Sequence, residues 1–383
     1  MRSLNIVRAS PMGREVTEDR EPSSGLPRQM AVYAVVGISI MAIWAGLWVQ
    51  SQGHPIALLG PGTKTLAWPL LDEEIGVDIG WRIIGHDGGT FYVQARSPFD
   101  FDRTEQYLDY PAYRHRRILF PLLAGALAPG GGLPLVYAML AISLAGVGLA
   151  CAACAALPGR PVWLPVAVAL TPGVAVSVMV GLCDALMTGL VLAAFAASYH
   201  RRWRAVVVLL VLATMTRESS LIAAGALLFT PGMPRRVRVL VVAAPVAVLG
   251  AWMLWIDHGV AGGDDHATNQ FALPFVDWMD ADRVTLLMGL ASMAVMGFGA
   301  LKLRREDRPV QLFLLVTLLM SAMLSREVVV SWVNTSRVMA PALTLGLWAL
   351  FRSHEPADPS TEPDVDTGAD ADAEPRPAPA GAG

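Results

Sequence analysis

Uncharged apolar runs alternate with short charged clusters along most of this chain. Residues 30–49, 133–157, 162–180, 239–255 and 284–300 carry no charge, and about 20 apolar residues in a helix cross a ~30 Å hydrocarbon core. Shorter uncharged runs lie at 185–198, 205–215, 221–230, 310–324 and 338–351. The pattern predicts an all-α, polytopic membrane helix bundle. Its basic clusters are Arg2 to Arg28, Arg160, Arg201-Arg202-Arg204, Arg235-Arg236-Arg238, Lys302 to Arg308 and Arg352. Basic residues in short loops mark the cytoplasmic side, so an even number of spans must separate consecutive clusters. That parity predicts about ten transmembrane helices, both termini cytoplasmic, and a long first outer loop over 51–131. Residues 118–128 make only about 16 Å of helix at 1.5 Å per residue. They are expected to form an amphipathic or half-inserted helix on the outer face rather than a span.

Composition agrees with this reading. Of the 383 residues, 54% are hydrophobic and only 16% charged, where a soluble domain carries about 25% charge. Mean hydropathy is +0.48. The organisation expected is a cytoplasmic N-terminal segment over 1–29, a membrane domain over 30–352 and an acidic cytoplasmic tail over 353–383. The tail is Pro-, Ala-, Asp- and Glu-rich, with almost nothing to bury, and is expected to be disordered. No concentrated basic surface exists, so nucleic acid is not an expected partner. The first apolar run is too long, and too far from the start, for a cleaved signal peptide. Cys151-Ala-Ala-Cys154 has redox-motif spacing, but its Ala/Leu-rich span points to small-residue helix packing.

The candidate chemistry gathers on the side opposite the basic clusters. The first outer loop holds His86-Asp87-Gly88-Gly89, Tyr92, Asp109 and the run Arg114-His115-Arg116-Arg117. Asp87 is placed near the start of a short helix, where the bland role is a helix cap. Asp184 opens an apolar run, with an outer cap as the bland role. Arg217-Glu218 interrupts an apolar segment and is either a structural ion pair or a site. Arg326-Glu327 and Arg337 bracket the last outer loop, as interface anchors or as site residues. No predicted span centre is charged. That argues against an ion path through the bilayer and for a site at the outer boundary. Such a site suits a substrate with its tail in lipid and an anionic head at the surface, because Arg forks onto phosphate oxygens. His258, Asp264, Asp265 and His266 follow no metal-ligand spacing and read as a solvated loop. Walker, His-Glu-x-x-His and Gly-x-Ser-x-Gly motifs are absent from the sequence. No metal site or cofactor is indicated, although a divalent cation is compatible with the reading.

Two stretches carry a family resemblance. Gly85-His-Asp-Gly-Gly-Thr-Phe-Tyr-Val-Gln-Ala95 and Tyr113-Arg-His-Arg-Arg-Ile-Leu-Phe-Pro-Leu-Leu-Ala124 resemble the first-loop motifs of GT-C superfamily membrane glycosyltransferases. The likeness is to bacterial cell-surface-glycopolymer proteins and relatives of the GPI mannosyltransferases. Asp184, Thr216-Arg217-Glu218 and Arg337 resemble further conserved-type positions of that family. The resemblance implies a GT-C-like bundle in the plasma membrane. It implies transfer of a sugar from a polyprenyl-phosphate donor to a glycan, lipid or protein hydroxyl on the outer face. It maps the catalytic general base to Asp87. Phosphate or substrate binding would fall to Arg217 and Arg337, with Arg114, Arg116 and Arg117 behind them, and His86, Tyr92, Asp184, Glu218 and Arg326 as further candidates. The rival expectations are a lipid-linked-saccharide transporter or flippase, with polar groups at the midplane, and a non-catalytic membrane partner in an envelope assembly.

Overall fold

The computed structural model describes residues 25–76, 85–260 and 273–353. The acidic tail, most of the N-terminal segment and the Asp264-Asp265-His266 cluster lie outside them. The described residues are helical, with no β-strand among them. In chain order the helices are α1 (Leu26–Gln52), α2 (Trp68–Ile75), α3 (Gly88–Arg96), α4 (Phe101–Glu105), α5 (Pro111–His115), α6 (Leu119–Leu127), α7 (Gly132–Ala155), α8 (Leu164–Ala167) and α9 (Pro172–Met179). There follow α10 (Asp184–Tyr199), α11 (Trp203–Thr216), α12 (Leu221–Leu227), α13 (Arg235–Gly259), α14 (Arg283–Lys302), α15 (Arg308–Ala322), α16 (Arg326–Val329) and α17 (Trp332–Phe351).

Four helices, α1, α7, α13 and α14, are long and apolar enough to cross a membrane. Their outward faces are apolar too: Ile43 on α1, Leu254 on α13 and Leu301 on α14 stay exposed. A surface like that is stable against lipid chains and costly against water. The other expected spans are shorter or differently bounded. Residues 162–180, expected as one crossing, form α8 and α9 with a break between them, because Thr171 is extended ahead of Pro172 at the first helical position. Proline lacks the N–H that an unbroken helix needs, and it pushes the preceding residue out of helical geometry. At 4 and 8 residues, neither piece spans ~30 Å. Residues 118–128 form the 9-residue α6, packed on α3 and α7.

α7 sits at the centre, packed against α1 and α10. Gly146 and Gly189 let α7 and α10 approach until a side-chain carbon at either position would meet the other helix's backbone. Small residues at a crossing are the usual device for packing helices in lipid. Cys151 of α7 packs its sulfur against Gly37 of α1, and Cys151, Cys154 and Cys183 are buried free thiols. The bundle carries a cluster of polar contacts at each end. At one end, Arg160 donates to Gln29, Arg352 pairs with Asp307, and Trp348 donates to the Pro158 carbonyl. The starts of α3, α10 and α17 and the end of α11 lie at the other.

Candidate functional site

At that second end the start of α3 is wedged between two other backbones. A side-chain carbon on Gly88 would collide with the carbonyl oxygens of Leu59 and Val180. Only glycine permits the approach, and it fixes Asp87 beside the loop that leads into Asp184. Gly88→Ala is therefore expected to destabilise the protein by about 1–3 kcal/mol, the usual overpacking cost. The check is its melting temperature in detergent, which should fall clearly below wild type.

Asp87 occupies the cap position of α3 but caps nothing; its side chain makes no hydrogen bond to the helix N-terminus. The carboxylate turns instead to two arginines. Arg114 donates from Nη1 to Oδ1 at 2.8 Å, and Arg337 donates from Nη2 to Oδ2 at 3.4 Å. Arg337 is 250 residues away in the chain. Burial pushes the Asp87 carboxyl up, but Arg114, Arg337 and Arg117 outweigh it and hold the group well below the usual carboxylate range. Close opposite charges shift a carboxyl in that sense.

Asp184 is the first residue of α10, one past the cap position, which Cys183 holds without a side-chain hydrogen bond. It pairs closely with Arg217, and its other oxygen lies 3.6 Å from Arg337 Nε. Arg217 and Glu218, adjacent in sequence, do not form a pair with each other. The chain is extended at Arg217, where α11 ends, so the two side chains diverge. Glu218 accepts from Arg117 at 3.2 Å, and Arg117 also donates to the Tyr113 hydroxyl at 2.5 Å. Arg114 spans Asp87 and Asp109, the latter at 2.8 Å. Arg337, expected in the last outer loop, is instead inside α17 and buried. Close packing of Gly173 under Ser336 brings that part of α17 against α9. The result is one connected array drawn from the first loop, α10, the α11 end and α17.

The array is anchored through His115. Its Nε2 lies 3.0 Å from Thr104 Oγ1, its ring meets Phe101 edge-on at 4.8 Å, and its carbonyl accepts from Trp252 Nε1 at 2.8 Å. This ties the arginine run to α13. Burial lowers the His115 pKa to about 4, so the fold holds it neutral, against about 6.5 unfolded. A histidine depressed in this way contributes its stability above pH ~6.5 and loses it as pH falls toward its folded value. Melting temperature should therefore drop between pH 6.5 and 4, and His115→Gln should flatten that part of the curve.

Other candidates fall outside the array. Tyr92 donates to Glu74 at 2.5 Å and accepts from the Gly132 N–H, while Arg96 donates to Glu74 at 2.7 Å. That cluster locks α2, α3 and the start of α7, and gives Tyr92 a structural place. Arg326 is 73% exposed and sits 3.5 Å from Asp280, with no described contact to Asp87. Arg116 lies over the Tyr113 ring at 5.8 Å, beside the array. The His86 N–H donates to the Gly60 carbonyl at 2.8 Å, next to Asp87. Asp109 and Tyr113, not among the residues expected to bind substrate, join the array; their signal was spacing, five residues before Arg114 and four before Arg117. Among the described residues, no group of three or more His, Cys, Asp or Glu is placed to hold a metal ion. No protein-family model, curated protein or solved structure matches the chain.

Proposed function

We propose that this chain is a GT-C-type membrane glycosyltransferase. It moves a sugar from a polyprenyl-phosphate donor to an acceptor hydroxyl, on a glycan, lipid or protein, at the outer face of the plasma membrane. The observation that carries this reading is Asp87: a partly exposed carboxylate, diverted from capping, held among arginines from distant segments at a bundle end. The basic clusters at the opposite end support an outer placement, since short basic loops stay cytoplasmic. Asp87, Asp184 and Arg217 lie at helix ends and Arg337 in the second turn of α17, gathered at one end of the bundle, which favours transfer over transport.

In the proposed step the acceptor oxygen attacks the anomeric carbon of the donor sugar. The bond from that carbon to the phosphate oxygen breaks, and the carrier leaves with the electron pair as a phosphate monoester. The hydroxyl proton passes to Asp87. Arginine N–H groups stabilise the charge that develops on the leaving phosphate, an electrostatic contribution worth most where water is scarce. The test is transfer itself. Purified protein in liposomes, given a radiolabelled polyprenyl-phosphate sugar and an acceptor glycan, should move label to the acceptor, and Asp87→Asn should not. Equal transfer by both proteins would remove Asp87 from the mechanism.

A further inference from the structure

The array poses a chemical difficulty for the base. A general base works best with a pKa near the operating pH, yet Asp87 is held far below that by its arginines. Something must loosen their grip as the proton arrives.

The distances identify the loosest partner. Arg217 is tight on Asp184, Arg114 is at 2.8 Å from both Asp87 and Asp109, and Arg117 has the Tyr113 hydroxyl at 2.5 Å. Arg337 reaches Asp87 only at 3.4 Å and Asp184 only at 3.6 Å. Its Nε is buried and has no hydrogen-bond partner, and the residue is 6% exposed. Buried guanidinium N–H groups normally find acceptors, so Arg337 is short of one.

Charge is consistent with such an exchange. In the array Arg114, Arg117, Arg217 and Arg337 match Asp87, Asp109, Asp184 and Glu218, four against four. A phosphodiester donor brings one negative charge. When the sugar leaves, the carrier becomes a monoester that approaches two negative charges. The proton delivered to Asp87 removes one carboxylate charge at the same moment, so the net charge of site and carrier does not change.

We propose that Arg337 is the exchangeable arginine of this site, neutralising Asp87 before transfer and passing to the leaving lipid phosphate as Asp87 takes the acceptor's proton. The proposal rests on the transferase reading above. It makes one arginine serve base and leaving group in turn, so that neither charge develops alone.

The test uses full-length protein in detergent, with farnesyl monophosphate as probe at about pH 8, where the monoester is mostly dianionic. Asp87→Asn removes the competing carboxylate and should tighten probe binding about tenfold, the worth of one charge-assisted hydrogen bond. Adding Arg337→Met should cancel that gain. If Arg337→Met does not fold, Arg337→Lys carries the same cycle, because a point charge lacks the second fork contact and should cut the gain. Unchanged binding in Asp87→Asn, a gain that survives loss of Arg337, or no probe binding at all would overturn the exchange. The outcomes separate cleanly from the parent reading. An Asp87→Asn protein that is inert in transfer but shows no gain sinks only the exchange, whereas one that still transfers sugar sinks the reading on which it rests.

Discussion

Asp184→Asn is expected to give a protein that is poorly folded or unfolded, the largest stability loss of any single substitution in the site. Its side chain is 2% exposed and sits between Arg217 and Arg337, both nearly buried. Deleting one partner of a buried ion pair costs about 3–5 kcal/mol, because the other charge stays buried without its counterion. Here Arg217 loses its ion pair and Arg337 is left with Asp87 at 3.4 Å. Whole domains are stable by only about 5–15 kcal/mol, so the loss is a large fraction of the total. Asp109→Asn is the matched control: Asp109 is half exposed, and exposed pairs contribute about 0–1 kcal/mol. Yield after size-exclusion chromatography and melting temperature should separate the two variants sharply. An Asp184→Asn protein as stable as Asp109→Asn would mean that another group neutralises Arg217.

Asp87→Asn should do the reverse, keeping the fold and losing the chemistry. Asp87 is 24% exposed, and its arginines keep other partners: Arg114 has Asp109, and Arg337 has Asp184. Asparagine preserves the shape but cannot accept a proton. A positioned general base contributes typically 10²–10⁴-fold, so transfer should fall by about that factor. The loss should appear in kcat, because the interaction removed belongs to the transition state. Steady-state transfer in liposomes measures it, with melting temperature as the check on folding. A protein that loses only apparent affinity would assign Asp87 to binding rather than to proton transfer.

The bundle was legible in the sequence because lipid imposes a simple rule: long uncharged runs must be helices. α1, α7, α13 and α14 follow from it directly, and their ends match the expected runs within a few residues. The rule weakens where runs are short. Residues 162–180 look continuous in hydropathy, yet Pro172 decides the local geometry and splits them. α17 begins six residues before the apolar run expected for it, which carries Arg337 from a loop into a helix. The site was legible residue by residue but not as a geometry. Asp87 and Asp184 sit at helix starts, as expected, and local rules then favour capping. Asp87 holds the cap position without capping, and Asp184 lies one residue past it; arginines far away in the chain take the oxygens of both, as ion pairs in which both partners are charged. Arg217 and Glu218 show the same limit: adjacent in sequence, they answer to Asp184 and Arg117. Tyr92 lies five residues from Asp87 yet belongs with Glu74, because a helix turns it to a different face.

Transfer at the outer face requires the Asp87 array to meet solvent outside the cell, and thiol labelling of Asp109→Cys in intact cells measures that directly. The natural cysteines are buried, so a membrane-impermeant maleimide reports the introduced thiol. Labelling from outside the cell, slowed when farnesyl monophosphate is added, is the predicted result. Labelling only after the membrane is permeabilised would place the array on the cytoplasmic side and contradict the proposal.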